Sequence, residues 1–298
     1  MADTDISIDR KARASAWFRD IRDQICNAFE MLEDEQESGP FKDHEPGRFE
    51  LTETKRGGEG ADQGGGLMSV MRGGRVFEKV GVNISTVYGM LSPQAVKMMT
   101  ARKEIQGLEK KPEFWAAGIS LVAHMNSPKV PAVHMNTRMF WTEGASWFGG
   151  GTDLNPMIEV DEDTKFFHSV LEAACNKHDP SYYPKYKDWA DEYFMIKHWG
   201  EARGVGGIFY DDLDTKDWEA DFAFTQDVGR AFLDAYLPIV RKRRDETWDE
   251  ADRETQLIKR GRYAEFNLVY DRGTHFGLQS GHDPSAVLMS LPPLAKWP

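Results

Sequence analysis

The sequence has few of the features on which several large classes of proteins depend. Its 298 residues include only two cysteines, Cys26 and Cys175, which lie far apart and form no Cys-x-x-Cys pair. This argues against a disulfide framework and a thiolate zinc site, and it fits a reducing cytoplasm. No basic stretch followed by an apolar run opens the chain, and no uncharged apolar stretch approaches the roughly 18 residues that a membrane-spanning helix requires. We therefore expect a soluble, cytoplasmic protein without a secretory signal.

Positive charge is also scarce. The chain carries 37 Lys and Arg residues against 49 Asp and Glu residues, a formal net charge of −12. Its short basic run at 241–244 lies among acidic residues and is interpreted as the solvated end of a helix. Because a protein that binds nucleic acid needs a basic face for the phosphates, no nucleic-acid partner is expected.

A phosphate-binding loop is missing as well. The glycine run at 64–66 has no Gly-Lys-Ser/Thr behind it, and the sequence offers no dinucleotide fingerprint. The chain does contain large rings and flexible joints, with 9 Trp, 17 Phe and 27 Gly. That mixture suits a wide flat pocket, and it suits an ordinary apolar core equally well.

The order of the periodic patterns predicts the fold class. Apolar residues recur at helical spacing from Ile6 to Leu32, which predicts an N-terminal helix over about 6–37. Strands are predicted within 48–89, 116–125, 132–141, 206–213 and 263–271, with a glycine-rich turn at 57–66, and helices over 161–178, 182–203, 217–243 and 249–260. Hairpins followed by helices predict an α+β fold, with a large, mainly antiparallel β-sheet covered on both faces by α-helices. Without an internal repeat or a clear linker, residues 1–298 are predicted to form a single domain.

The strands predicted at 116–125 and 132–141 share a polar face. Side chains alternate across a strand, so Ser120 and His124 point to one side of the first strand, and His134, Asn136 and Arg138 point to one side of the second. One interpretation is the water-facing side of a hairpin. The residue types favour another, because imidazole, amide and guanidinium groups together can bind and protonate a carboxylate-bearing substrate.

A glycine-rich loop is predicted directly after this hairpin, at 149–156, with the sequence Gly-Gly-Gly-Thr-Asp-Leu-Asn-Pro. The three glycines allow the backbone to approach a ligand closely and let Asp153 project beside it. Alternatively, Asp153 forms a turn by bonding to its own backbone.

The hairpin, the glycine loop and several later motifs resemble the oxygen-dependent coproporphyrinogen III oxidases of haem biosynthesis. The resemblance runs from about Gly73-Gly74 to the end of the chain, with the motifs in the family's order. The later motifs lie at 203–212, 234–240, 260–274 and 288–293.

This resemblance implies an enzyme that oxidatively decarboxylates two of the four propionates of coproporphyrinogen III to vinyl groups, giving protoporphyrinogen IX. Molecular oxygen accepts the electrons, and carbon dioxide and hydrogen peroxide are released. No organic cofactor such as flavin or haem is implied, because the reduced macrocycle is itself an electron-rich pyrrole system. The protein then has to orient the substrate and manage protons.

For this implied reaction we hypothesise roles for individual residues of this sequence, of which the proton-donor role of His134 is the one that the family itself implies. Arg138 binds a propionate through its two-pronged guanidinium, while Asn136 and Ser120 fix neighbouring polar groups. Asp153 takes the pyrrole N–H proton, and His134 acts as a proton donor. The implied catalytic residues are His134, Asp153 and Arg138, and the implied substrate-binding residues are Ser120, Asn136, Thr137, Arg138, Arg272, Gly281, His282 and Asp283.

Two of these implied binding positions have a second interpretation or depart from the family's pattern. Arg272 is a candidate local cation in a net acidic protein, but an exposed arginine commonly forms no more than a surface ion pair. Many relatives have Gly-x-Arg near 281–283, whereas Asp283 inverts that charge here. Any contribution from this segment would then come from its backbone or from His282.

A divalent metal is implied too, with manganese as our choice and His124, His134, His168 and His198 as its ligands. These histidines are spread over two predicted strands and two predicted helices, without the short spacing typical of metal ligands. The alternative is that His168 and His198 are packed histidines that donate to neighbouring groups.

The family further implies a homodimer, formed with the help of a C-terminal segment at about 263–298. Two other functions fit the same residues. A His-based metal-dependent hydrolase would activate water on a bound metal and would need no oxygen. A non-catalytic tetrapyrrole-binding carrier would hold the product tightly and release no carbon dioxide.

Overall fold

The structure, a computed structural model, describes residues 2–57, 62–102, 105, 107–279 and 283–298. In this part of the chain the helices are α1 (Ala2–Asp34), α2 (Pro93–Arg102), α3 (Asp161–Asn176), α4 (Tyr182–Tyr193), α5 (Trp218–Arg243), α6 (Glu250–Val269), α7 (Arg272–Gln279) and α8 (Pro284–Val287), followed by a 3₁₀ turn at Leu288–Ser290. The strands are β1 (Glu50–Lys55), β2 (Gly64–Arg72), β3 (Phe77–Met90), β4 (Glu113–Met125), β5 (Ala132–Thr142), β6 (Ala145–Asn155), β7 (Met195–Ile196), β8 (Glu201–Ala202) and β9 (Gly207–Leu213).

Seven of the described strands form one sheet, in the order β1-β2-β3-β4-β5-β6-β9. Every neighbouring pair is antiparallel. Short connections such as the one between β4 and β5 favour this arrangement, because a hairpin can join only antiparallel neighbours. Strands β7 and β8 form a separate small hairpin. The predicted α+β fold with a large antiparallel sheet is confirmed.

One face of the sheet carries the main apolar core. Ile119 and Leu121 of β4 and Val133 and Met135 of β5 point to this face and are buried. Helices α1, α3 and α5 cover it, and α1 contributes a stripe at helical spacing, Trp17, Phe18, Ile21, Ile25, Phe29 and Leu32. This stripe is the amphipathic pattern from which the N-terminal helix was predicted.

The opposite face is covered at its two ends. At one end, Val96 of α2 packs with Phe114, Phe140 and Trp147 of the sheet. At the other end, the 3₁₀ turn lies against the sheet, where the side chain of Met289 contacts Gly81. The middle of this face stays partly exposed, since Ser120, Asn136 and Arg138 in it are only half-buried. Among the described helices, none combines the length and the apolar character needed to cross a membrane.

The predicted strand at 263–271 is wrong, because residues 263–269 belong to α6 and the helix ends there. The Asp249 side chain accepts hydrogen bonds from the backbone N–H groups of Ala251 and Asp252 and starts the helix. Tyr263 and Phe266 are then buried on one side of it. The aromatic residues that resemble a strand pattern are therefore the buried stripe of a helix.

Four other predicted segments also change. The N-terminal helix spans Ala2–Asp34 instead of about 6–37. The helix predicted at 182–203 ends at Tyr193, and the chain turns back through Gly200, whose φ of +67° favours glycine. The glycines at 149–151 lie within strand β6 and not in a loop, and Gly64 to Gly66 begin strand β2. Residues 58–61 of the predicted glycine-rich turn lie outside the described residues.

Candidate active site on the open sheet face

The partly exposed middle of the second face carries the polar side chains predicted from alternation. Ser120 of β4 lies opposite Asn136 of β5, and His134 of β5 lies opposite Asp153 of β6. Arg138 is two residues beyond Asn136 and so points to the same side. We call Ser120, His134, Asn136 and Arg138 the polar floor. The structure brings these four residues together with Asp153 on one face.

Glycines surround the floor on the neighbouring strands. Gly118 lies opposite Arg138 on β4, and Gly149 and Gly151 lie opposite Arg138 and Asn136 on β6. Glycine inside a strand weakens the sheet, and it is found where a ligand or another backbone approaches closely. The absence of side chains at these positions keeps the surface low around Arg138, which is the shape that a broad flat ligand needs.

Arg138 is held on the floor by two hydrogen bonds. Its Nη1 donates to Oδ1 of Asn136 at 2.8 Å, and its Nη2 donates to Oδ1 of Asp211 at 2.8 Å. Asn136 is fixed in turn, since its Nδ2 donates to the carbonyl oxygen of Ile119 at 3.1 Å. The Arg138 side chain remains 37% exposed, and a guanidinium has five N–H donors. Arg138 can therefore bind a carboxylate that arrives from solvent.

Asp153 lies below the surface, in contact with a buried cation. Its side chain is 1% exposed, and Nη2 of Arg203 donates to its two carboxylate oxygens at 2.7 and 2.8 Å. Nδ2 of Asn155 donates to Oδ2 at 2.9 Å. Burial acts to raise the pKa of Asp153, but the charge of Arg203 and the hydrogen bonds from His134 and Arg203 hold it below its ordinary value. Asp153 is therefore a carboxylate anion in the folded protein.

Arg203 itself is enclosed by aromatic rings. Its guanidinium carbon lies 4.4 Å from the ring centre of Phe194, and 4.6 Å from the ring centres of both Tyr263 and Phe266. Nη1 donates to Oδ1 of Asn267 at 2.9 Å. Three aromatic faces and a carboxylate together compensate for the burial of this cation.

His134 connects this buried pair to the exposed surface. Its Nδ1 lies 2.9 Å from Oδ1 of Asp153, so Nδ1–H donates to the carboxylate. In that tautomer Nε2 is the proton-accepting nitrogen, and among the described residues no side chain or backbone group bonds to it. The ring is 20% exposed. His134, and not Asp153, is thus the group of this pair that a ligand on the floor can reach.

A second carboxylate and Arg272 lie toward the β9 edge of the sheet. Asp271 accepts from the Tyr193 hydroxyl at 2.9 Å and from the backbone N–H and hydroxyl of Thr274 at 2.7 and 2.8 Å. Burial acts to raise the pKa of Asp271, but these Thr274 bonds, with the charges of His134 and Arg203, lower it. The Arg272 guanidinium is stacked 4.9 Å from the ring centre of Tyr193. Within the described residues Arg272 forms no ion pair.

Some predicted binding residues lie elsewhere. Thr137 points to the core face with its side chain fully buried, so a direct contact with a ligand on the floor is not supported. Gly281 and His282 lie outside the described residues. Asp283 is exposed and caps α8, where its Oδ1 accepts from the backbone N–H of Ser285 at 2.8 Å.

The four histidines proposed as metal ligands are not brought together. His124 is fully buried, its Nε2 bonds to the carbonyl oxygen of Ser290 at 2.9 Å, and burial lowers its pKa to about 3. His168 bonds to the Tyr183 hydroxyl at 3.0 Å and to the carbonyl oxygen of Val205 at 2.9 Å. His198 bonds to the Tyr270 hydroxyl at 2.7 Å and to Glu265 at 2.5 Å. Within the residues that the structure describes, no group of three or more His, Cys, Asp and Glu side chains is placed to hold a metal ion. These residues do not fit a shared metal site.

Sequence reasoning did not assign roles to three residues that complete the site. Arg203 lies shortly before β9, Asp211 lies within β9, and Asp271 follows α6. All three belong to motifs that carried the family resemblance, which was the available signal. The contact of Arg203 with Asp153 and that of Asp211 with Arg138 depend on β9 pairing with β6, which local periodicity does not reveal.

This antiparallel sheet face combines an exposed arginine, a histidine bonded to a buried carboxylate and a glycine-lined surface, which are groups with which an enzyme can bind an acidic substrate and transfer protons. The sequence model of the coproporphyrinogen III oxidase family matches residues 13–298. The chain therefore belongs to this family, and the match begins earlier than the resemblance from Gly73-Gly74 indicated.

Curated relatives agree with this assignment. The chain is 50% identical to a protein of Rickettsia peacockii (strain Rustic) over 292 residues, which are 98% of this chain and 100% of the relative. It is 51% identical to a protein of Rickettsia felis over 292 residues, with the same shares covered. A protein of Rickettsia bellii (strain RML369-C) is 50% identical over 283 residues, 95% of this chain and 96% of the relative. All three are named oxygen-dependent coproporphyrinogen-III oxidase.

Proposed function

We propose that the protein catalyses the oxidative decarboxylation of coproporphyrinogen III to protoporphyrinogen IX, with O₂ as the electron acceptor. Each of two propionic acid side chains loses CO₂ and two hydrogen atoms and becomes a vinyl group, and the two hydrogen atoms reduce one O₂ to H₂O₂. The observation that carries the proposal is the exposure of Arg138 and His134 on one low, glycine-lined face in a member of this family.

Substrate binding begins at Arg138. A net acidic protein repels a polyanion at long range, so the propionates have to be bound by local cations. Arg138 takes one propionate through N–H groups that its bonds to Asn136 and Asp211 leave available. Ser120 and Asn136 contact polar groups beside it. Arg272, which is exposed and stacked on Tyr193, takes a second propionate at the β9 edge.

Proton transfer is assigned to His134. Its side chain is 20% exposed on the floor, and its Nδ1–H is held by a carboxylate that Arg203 keeps ionised. The Asp153 carboxylate stabilises the protonated imidazole and fixes its orientation, in the way that carboxylates support catalytic histidines in other enzymes. The role of Asp153 is therefore revised: it is a positioning residue that acts through His134, because its burial prevents it from taking the pyrrole proton directly.

No step of this proposal passes through a metal ion, because the four histidines do not fit a shared site. The electrons come from the substrate. The His-based hydrolase loses its support for the same geometric reason, and the carrier loses its support because the chain belongs to an enzyme family.

The protein is further proposed to be a cytoplasmic homodimer that associates through its C-terminal segment at about 263–298. Four apolar side chains of this segment, Leu268, Val269, Phe276 and Leu278, are between 43% and 51% exposed. Large exposed apolar side chains are typical of a protein interface when they form a contiguous patch. Both cysteines are buried free thiols, as a reducing compartment allows.

The test is incubation of the purified protein with coproporphyrinogen III, with and without O₂, followed by mass spectrometry. We expect an O₂-dependent loss of two carboxyl groups and stoichiometric CO₂. A chelator-treated sample should turn over at the untreated rate. Conversion without O₂, or none with properly reduced substrate, would refute the proposal.

A further inference from the structure

An irregularity in β9 brings Asp211 to Arg138. The pairing of β6 with β9 shifts between Gly150 opposite Tyr210 and Phe148 opposite Leu213. Two residues of β9, Asp211 and Asp212, therefore lie against the single residue Gly149, which is the geometry of a β-bulge. Bulges of this kind redirect side chains and occur often beside active sites.

The backbone conformation of Asp212 and the absence of a side chain at Gly149 both allow this bulge to form. Asp212 has a φ of +55°, a left-handed conformation that is uncommon for residues other than glycine. Its backbone N–H donates to Oδ1 of Asp211 at 3.1 Å, so the bulge also orients the carboxylate. A Cβ atom at Gly149 would lie 2.8 Å from Oδ1 of Asp211 and 2.9 Å from Nη2 of Arg138. Any other residue at 149 would therefore occupy the space of this ion pair.

In the ion pair between Arg138 and Asp211, the carboxylate is buried and the guanidinium is partly exposed to solvent. The Asp211 side chain is 9% exposed, whereas the Arg138 side chain is 37% exposed. Asp211 and Asn136 together use two of the five N–H groups of the guanidinium and fix the plane in which the others lie. A group fixed before binding loses less conformational entropy when the ligand arrives.

We infer that Asp211 is a positioning residue that holds the Arg138 guanidinium in the plane that accepts a substrate carboxylate, and that the β9 bulge and Gly149 exist to make this contact. The inference rests on the proposed role of Arg138. In this inference Arg138 holds a propionate that does not react, whose interactions are the same in the ground state and the transition state, so its positioning affects KM and not kcat.

The experiment compares Asp211→Ala with Asp211→Asn in steady-state turnover of coproporphyrinogen III by the full-length protein. The alanine variant leaves Arg138 free to move, and we expect KM to rise about tenfold with kcat within about twofold of the unaltered protein. Asparagine keeps the Oδ1 acceptor, so its KM should stay within about threefold. If the alanine variant does not fold, Asp211→Leu, which fills the same space without an acceptor, replaces it. Asp212→Asn, in the same bulge, is the matched control and should leave KM unchanged.

A double-variant cycle separates this inference from the role of Arg138. Arg138→Gln alone should raise KM, and Asp211→Ala in that background should raise it no further. If Arg138→Gln leaves KM unchanged, the proposed role of Arg138 fails. If Arg138→Gln raises KM but Asp211→Ala does not, or if Asp211→Ala and Asp211→Asn lower kcat equally without changing KM, the positioning role of Asp211 is wrong.

Discussion

Neighbouring residues of the same two strands serve opposite faces of the sheet. Leu121 lies opposite Met135 on the core face, and both are completely buried. One residue along, Ser120 lies opposite Asn136 on the polar floor, and both are half-buried. The core face is stabilised by apolar burial, which has no direction, whereas the floor is organised by directional hydrogen bonds and ion pairs. A substitution on the first should therefore change stability, and one on the second should change turnover.

The sharpest test of this difference between the core face and the polar floor is the removal of the His134 side chain. We expect His134→Ala to lower kcat by about 10²- to 10⁴-fold, because the general acid–base group is lost, while the folded protein remains stable. His178 is a matched control, since its ring is 19% exposed and bonds to Asp227 at 2.9 Å, far along the chain from the floor. His178→Ala should keep normal kcat. Equal losses in the two variants would show that the effect is structural.

Arg203 is the one position among these tests where we expect a residue that supports the floor to change stability as well. Arg203→Met removes the cation that compensates buried Asp153, and breaking such a pair costs about 3–5 kcal/mol of unfolding free energy. Urea denaturation measures this loss. Adding Asp153→Asn removes the stranded charge, so the double variant should be more stable than Arg203→Met alone. A double variant that is less stable than the single one would contradict the account of this pair.

The pair Leu121→Ala and Ser120→Ala compares the two faces directly. Leu121→Ala leaves a cavity in the core and should cost about 2–5 kcal/mol, with kcat/KM per folded molecule unchanged. Ser120→Ala should change stability by less than about 0.5 kcal/mol and raise KM. Denaturation curves and turnover measured on both variants decide the matter. The reverse assignment of effects would break the comparison.

The smallest effect concerns pH. The pKa of Asp153 is lowered in the folded protein, so its ionised form stabilises the fold above its unfolded pKa of about 3.9. This contribution is lost as the pH falls from about 4 through the lower folded value. Asp153→Asn has no such group, so its unfolding free energy should fall less steeply between about pH 5 and pH 3. Parallel pH profiles for the two proteins would contradict the lowered pKa.

The floor was predictable because a strand has a period of two residues. Ser120, His134, Asn136 and Arg138 follow that period, and the structure places them on one face. Thr137 follows the same period, which places its side chain on the core face, whereas the motif that contains it implies a substrate-binding role. For the direction of a side chain, the period of the strand is the guide.

The supporting residues could not be predicted because their partners are distant along the chain. Arg203 contacts Asp153 from 50 residues away, and Asp211 contacts Arg138 from 73 residues away. Both contacts depend on β9 pairing with β6, with two helices between them in the chain. The helix that contains Tyr263 was mistaken for a strand because short aromatic runs fit either period.

The position of β9 at the edge of the sheet has a consequence for assembly during synthesis. Strands β1 to β6 are made in the order in which they lie, so they can pair as they emerge, while β9 joins last. Until then Asp153 lacks the cation that makes its burial tolerable, and it stays hydrated. Arg203 precedes β9 and supplies this cation, but two of the rings that enclose it, Tyr263 and Phe266, lie on α6, so burial of the pair also requires α6. A nascent chain thus gains an oriented His134 only when its framework is complete.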